Sequence, residues 1–244
     1  GENISIHYDP MIAKLCVWGE KRTQAIDFMK DALDCFEIEG VGHNLPFLSA
    51  VVDHPRFLKG DISTAFIEEE YPKGFNGTNL GLDKQRLISS AITLVHIKNE
   101  IRKSKISGKI NNLKHKNERD WVVLIDEVEL KLKSEIKGEG IIVKYAKEET
   151  HSVICDWNPV HSVINFFINE QNYFFKVTDI TGGYRVRFRG ADLDVYVKTN
   201  RQARLSSLMI KKEKKDDTKS LICPMPGLVV SLDVNVGDEF EDGQ

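Results

Sequence analysis

The sequence predicts an α+β chain: a small helical and strand-containing N-terminal piece, then a long helix wrapped by an antiparallel, eight-stranded, barrel-like sheet. Two patterns carry this. Leu87, Ile88, Ala91, Ile92, Leu94, Val95, Ile97 and Ile101 cover more than one stripe of a helix read over 83–103, so its middle must lie inside something. From Trp121 to Thr199 the period changes to two. Val128, Leu130 and Leu132 alternate with Glu129, Lys131 and Lys133, and Tyr184, Val186 and Phe188 alternate with Arg185, Arg187 and Arg189. Turn signals at Asp126-Glu127, Gly138-Glu139-Gly140, Asn169-Glu170, Gly182-Gly183 and Arg189-Gly190 space these runs as a meander. A regular closed barrel of about eight strands has room only for its own side chains. A helix inside it therefore requires a sheet that is flared, strongly curved or partly open.

The elements before the helix follow from shorter patterns. Ile12 to Trp18 reads as a compact apolar strand ended by Gly19. Ala25, Phe28, Met29, Ala32, Leu33 and Phe36 then recur at helical spacing. Asn44 is placed to cap a second helix with Pro46 in its first turn, Leu48, Val51 and Val52 facing inward, and His54-Pro55 as its end. A third helix is expected near Ser63 to Tyr71, stopped by Pro72. The Gly/Asn-rich run 74–82 is the best domain boundary. These signals divide the chain into 1–75, 76–205, a charged linker at 206–220, and 221–244.

Residues 103–119 hold no period. Lys103, Lys105, Lys109, Lys114, Lys116 and Arg119 are interrupted by Asn, Ser, Gly and His, and a loop this long in a compact domain is unusual unless it has work to do. After Thr199 a short polar segment leads to Lys211, Lys212, Glu213, Lys214 and Lys215, the composition of a solvated tether.

With 244 residues, 41% of them hydrophobic, the chain can bury a real core. A net charge of −3 and no basic stripe interleaved with aromatics argue against nucleic acid. No apolar run is long enough to cross a bilayer, and no secretory signal is visible. Cys16, Cys35, Cys155 and Cys223 form no C-x-x-C pair and read as free, buried thiols of a reducing compartment. His43, His54 and His161 sit in turn-like sequence, where surface or capping roles are expected. Trp121 and Trp157 read as packing residues. No phosphate-binding loop, nucleophile elbow or H-E-x-x-H is present, so no catalytic, cofactor-binding or metal-ligating residue is expected in this segment.

Tyr8-Asp9-Pro10-Met11-Ile12-Ala13-Lys14-Leu15, Trp18-Gly19-Glu20, Ala25, Met29, Ala32-Leu33 and Gly40-Val41-Gly42-His43-Asn44 resemble the end of the biotin carboxylase domain of biotin-dependent carboxylases. Gly60-Asp61-Ile62-Ser63-Thr64, Phe66 and Tyr71-Pro72-Lys73-Gly74-Phe75 look like propionyl-CoA carboxylase alpha subunits. Cys223-Pro224-Met225-Pro226-Gly227, with Gly237-Asp238, resembles the opening of a biotinyl carrier domain. The family implies an alpha subunit that carboxylates covalent biotin with ATP, Mg and bicarbonate. Its carrier then delivers carboxybiotin to a carboxyltransferase beta subunit, which turns propionyl-CoA into methylmalonyl-CoA. The resemblance places the ATP-binding residues before Gly1 and the lysine that biotin protein ligase modifies beyond Gln244. This segment alone is therefore expected to be inactive. Residues 221–244 are expected to pack poorly as a piece of a carrier.

In that family the middle, or BT, domain docks alpha onto beta, and the loop after its helix supplies much of the contact. The resemblance thus implies docking roles for Lys105, Lys109, Leu113, Lys114, His115 and Lys116. A bacterial cytoplasm or a mitochondrial matrix would suit it. Methylcrotonyl-CoA carboxylase alpha subunits share the domain order and remain an alternative. So does a stand-alone lipocalin-like barrel with a small-ligand cavity, which would leave the helix of 83–103 outside.

Overall fold

The structure, a computed structural model, describes residues 11–38, 40–107, 118–126, 128–146 and 149–209. Four helices come first: α1 (Arg22–Cys35), α2 (Leu45–Asp53), α3 (Pro55–Lys59) and α4 (Phe66–Glu70). The long helix α5 (Leu82–Ser104) follows. Eight strands complete the core: β1 (Glu118–Ile125), β2 (Val128–Lys137), β3 (Gly140–Tyr145), β4 (Thr150–Cys155), β5 (Val163–Ile168), β6 (Gln171–Ile180), β7 (Gly183–Phe188) and β8 (Ala191–Thr199). A last helix, α6 (Asn200–Ser207), lies against β8 and β1.

Each strand pairs antiparallel with the next, and β8 returns to β1 through Val123↔Val197, so the ring closes. It does so around α5, which contacts β1, β2, β3, β4, β5 and β8. Ile88, Ala91 and Ile92 are wholly buried there, amid Val123, Val143, Val153, Phe166, Phe175, Val186 and Val195. The broad apolar surface read from the sequence therefore does lie inside. The ring is closed in its hydrogen bonding, where an open sheet was one of the expected solutions. Small side chains make this fit possible. Ser89, Ser90, Ala91 and Thr93 are all buried and let the helix backbone approach the strands. The β4–β5 ladder is also the shortest, running only from Val153↔Ile168 to Cys155↔Phe166.

The turns are tight. Asn169 and Glu170 take φ of 47° and 68°, and Arg189 and Gly190 take 50° and 80°, the left-handed pair that matches hairpin twist. Gly140 is required for another reason. A Cβ there would collide with the Val153 carbonyl oxygen and with Ile154 on the neighbouring strand. Gly140→Ala must push β3 from β4. It is expected to lower stability by about 2 kcal/mol or more, within the range of strained core substitutions, read as a lower urea midpoint at unchanged m-value.

Several N-terminal expectations change. Ile12 to Trp18 is not a strand; it has no ladder partner among the described residues, and Trp18 is 78% exposed. Helix α1 buries Ile26, Leu33 and Asp34, whereas Phe28 faces out. Helix α2 buries Leu45, Ser49 and Ala50, and Leu48 is exposed, because its inner face packs on α1 and on the Arg189-Gly190 turn. Pro55 opens the unforeseen helix α3, capped by the His54 ring, which accepts from the Arg56 N–H at 3.3 Å. The short polar segment expected at 199–205 is mostly helical, within α6. Of the thiols, Cys155 is buried as expected, but Cys16 and Cys35 are exposed. Cys223 and the carrier-like run from Leu221 to Gln244 lie outside the described residues.

Candidate functional site

Helix α5 enters the ring at one end and leaves at the other, and the two ends differ in chemistry. At the entry end its backbone is tied to β3 and β4 by buried polar groups. Ser89 Oγ lies 2.6 Å from Tyr145 Oη, which is 2.7 Å from Ser90 Oγ, which is 2.9 Å from His151 Nδ1. His151 Nε2 is 3.2 Å from Glu149, which also pairs with Arg86. The Glu149 carboxylate can only accept, so His151 Nε2 carries its proton, and Nδ1 accepts from Ser90. Tyr145 Oη also donates to the Arg86 carbonyl at 2.8 Å, and Ser89 Oγ reaches the same oxygen at 3.0 Å, so the cluster closes on the backbone of α5. Burial pushes the His151 pKa down, against the pull of Glu149, and pushes the Tyr145 phenol up to about 12.

The order Ser90–His151–Glu149 has the residue types of an acyl-transfer triad, but Ser90 is wholly buried and His151 is 6% exposed. No substrate reaches them, and the arrangement clamps helix to sheet. Sequence reading passes over this network because His151 sits in a strand among ordinary alternating residues. Counting by twos from the buried Cys155 and Val153 would have placed His151 inward.

The exit end carries the described flanks of the basic run. The last turn of α5 carries Arg102 and Lys103, whose charges suit a helix C-terminus. Lys105 caps the helix, its N–H donating to the Arg102 carbonyl at 3.1 Å, and its side chain is exposed. Ile106 beside it is 63% exposed. Lys109, Leu113, Lys114, His115 and Lys116 lie outside the described residues.

The chain returns at β1, where Arg119 Nη1 donates to Glu100 at 2.9 Å and its guanidinium lies 5.0 Å over the Trp121 ring. Arg119 is thus an anchor rather than a spare positive charge. His96 packs edge-on to Trp121, and burial pushes its pKa below the ordinary imidazole value against the pull of Glu100. Trp121 Nε1 donates to Ser134 at 2.8 Å, fixing the ring in the core, the packing role expected of it. Lys105 and Arg119, the two feet of the basic run, are thus both held on α5.

A cleft of about 230 Å³ beside these feet is lined by His96, Asn99, Glu100, Lys103, Asp179 and Tyr184. The interior space a ligand barrel would need is filled by Ile88, Ile92 and Val95, which removes the lipocalin-like alternative. Among the described residues no group of three His, Cys, Asp or Glu is placed to hold a metal ion, and no helix is long and apolar enough to cross a membrane. The described residues end at Met209, so the biotinyl lysine expected beyond Gln244 is not among them.

Comparison with known proteins agrees with this architecture. Residues 88–212 match the family described as propionyl-coenzyme A carboxylase BT domain, and residues 1–69 match the biotin carboxylase C-terminal domain. Over its full length the chain is 46% identical to the propionyl-CoA carboxylase alpha chain of Ruegeria pomeroyi, covering 36% of that protein. It is 33% identical to the mitochondrial propionyl-CoA carboxylase alpha chain of Homo sapiens, covering 34% of it. It is also 30% identical to the mitochondrial methylcrotonoyl-CoA carboxylase subunit alpha of Dictyostelium discoideum, covering 36%. The chain thus spans about a third of the length of the curated relatives it matches. With a helix threaded through a closed ring of eight strands and a family match over most of that helix and all of the ring, the chain belongs to the propionyl-CoA carboxylase BT-domain family, joined here to a biotin carboxylase C-terminal domain.

Proposed function

We propose that this chain is the docking segment of a biotin-dependent acyl-CoA carboxylase alpha subunit, with propionyl-CoA as the acyl substrate of the whole enzyme. In this reading the full subunit carboxylates biotin with ATP, Mg and bicarbonate. Its carrier, biotinylated by a biotin protein ligase on a lysine beyond Gln244, then passes the carboxyl group to a carboxyltransferase beta subunit, which forms methylmalonyl-CoA. Residues 1–75 are the tail of the carboxylase, 76–205 the docking domain, 206–220 a tether, and 221–244 the start of the carrier. The compartment is a bacterial cytoplasm or a mitochondrial matrix.

The observation that carries the docking role is the clamped base of the basic loop. Arg119–Glu100 and the Lys105 cap hold both ends of 105–118 on a helix locked inside the ring. A partner gripping the loop therefore grips the whole domain. Lys105, Lys109, Leu113, Lys114, His115 and Lys116 are the proposed contacts, Leu113 apolar and the others steering an acidic surface.

The test is complex formation between the full alpha subunit and its beta subunit on size exclusion. Charge reversal at Lys114 and Lys116 is expected to weaken the complex tenfold or more at low salt, and less at high salt where the native contact is itself screened. Co-elution unchanged by both reversals at every salt concentration would remove the loop from the interface. The similarity to a protein named methylcrotonoyl-CoA carboxylase supports a second acyl substrate, and turnover of the assembled enzyme with the two thioesters decides between them.

A further inference from the structure

The carboxylase-tail helices meet α5 and the ring along β6, where α1 packs, and through three further polar contacts. Lys84 of α5 donates to Asp53 of α2 at 2.6 Å, and Lys30 of α1 joins the same carboxylate at 2.7 Å. Ser162, before β5, donates to Glu37. Between them the β7–β8 turn inserts Arg189 and Gly190 against α1 and α2. The first two contacts are exposed or partly exposed, a class worth little in water. The third is buried and peculiar.

Arg189 takes a left-handed φ of 50°, at the turn position that hairpins normally give to Asn, Asp or Gly. Its N–H donates to Asp34 Oδ1 at 3.0 Å, and its guanidinium pairs with Asp34 at 3.3 Å and Asp31 at 2.7 Å. Asp34 is 5% exposed, and Lys176 of β6 reaches the Leu33 carbonyl beside it at 3.2 Å. Arg189 Nη1 and Asp34 Oδ2 are buried without a hydrogen bond. Gly190 fits only as glycine: a Cβ would lie 2.6 Å from the Pro46 carbonyl oxygen and 3.2 Å from the Ala50 nitrogen.

A buried ion pair with unmade hydrogen bonds contributes little net stability; the best-attested use of such a pair is to fix register. Burial raises the Asp34 pKa to about 6 despite Arg189, which shows how incompletely the pair repays its desolvation. We propose that the Arg189-Gly190 turn is an orientation key: it admits α1 and α2 onto the ring in one pose and so fixes the carboxylase relative to the proposed docking end. This rests on the docking reading for its consequence, but the key itself is intramolecular.

The test uses the full-length alpha subunit and two variants. The double variant Asp34→Leu/Arg189→Met replaces the pair by apolar groups, and Gly190→Ala wedges the turn from α2 without touching a charge. Amide exchange over 22–53 should speed at least tenfold in both, with β1–β8 unchanged. Carboxylation of free biotin added in solution should stay within twofold of the native rate, and carboxylation of acyl-CoA with the beta subunit present should fall at least fivefold. Native exchange over 22–53 in the double variant overturns the key, and so does a native coupled rate in a variant whose α1–α2 exchange has loosened. If Gly190→Ala fails to fold, the double variant decides alone. If the native subunit shows no coupling to any beta subunit, the docking reading fails while the exchange measurement still decides the key.

Discussion

Replacing Ile92 by Ala is expected to lower the unfolding free energy by about 3 kcal/mol, within the 2–5 kcal/mol range of buried Ile truncations. Leu82→Ala, at the first turn of the same helix, should change it by less than about 0.5 kcal/mol, as exposed positions do. Ile92 is wholly buried and Leu82 is 47% exposed. The contrast arises because α5 is not a helix lying on a sheet. Its neighbours surround it: the ring closes from β1 to β8, and no face opens through which strands could collapse into a void. Interiors this close-packed relax only partly, so the lost methylenes and the remaining cavity both count. Equilibrium urea unfolding measures the two values. Equal, small losses at both positions would mean that α5 does not form the core.

That inside position is legible because it needs no long-range information. Leu87, Ile88, Ala91, Ile92, Leu94, Val95 and Ile97 exceed one helical stripe, and the strands after Trp121 alternate with charged partners such as Lys131 and Arg185. What stays hidden depends on partners far along the chain. Asp34 looks like one more polar residue of an amphipathic helix until Arg189, 155 residues later, folds against it. Pattern alone places Leu48 inward, but the face of α2 that meets the Arg189-Gly190 turn carries Ser49 and Ala50, where small side chains are needed for close approach. Ile12 to Trp18 has strand composition, yet a strand exists only by pairing, and no neighbour among the described residues offers a ladder. The helical 200–207 run is short and polar, so its own propensity is a weak guide, and contact with β8 and β1 decides it. The base of the candidate docking loop lies between these cases. Lys105 and the basic run are visible, whereas Arg119 counts among the loop's charges until its pairing with Glu100 assigns it to the anchor.

Ser90→Ala is expected to destabilise by about 1–3 kcal/mol, the effect of leaving a buried acceptor unmatched, and His151→Gln should change the shape of acid unfolding. In the native ring Ser90 supplies the proton that His151 Nδ1 accepts, and both side chains are closed off from solvent. Losing the hydroxyl strands that nitrogen and removes a polar neighbour of the Tyr145 phenol, which keeps its bond to the Arg86 carbonyl, so the effect should exceed that of an isolated surface hydrogen bond. The pH dependence follows from the same geometry. Burial holds the folded His151 pKa below its ordinary 6.5, while the unfolded imidazole keeps that value. A depressed pKa means that the contribution is fully present above pH 6.5 and is lost as pH falls towards the folded value, because the unfolded chain takes up a proton that the folded one refuses. Asp34 acts oppositely: its folded pKa of about 6 lies above the ordinary 3.8, so acidification through that window favours the folded state. Comparing native protein with His151→Gln cancels the Asp34 contribution. As pH falls below 6.5 the native protein should lose stability more steeply than the variant, by up to about 1.4 kcal/mol per pH unit, the limit for one proton. Parallel curves would show that His151 gains no proton on unfolding and that burial does not hold its folded pKa down.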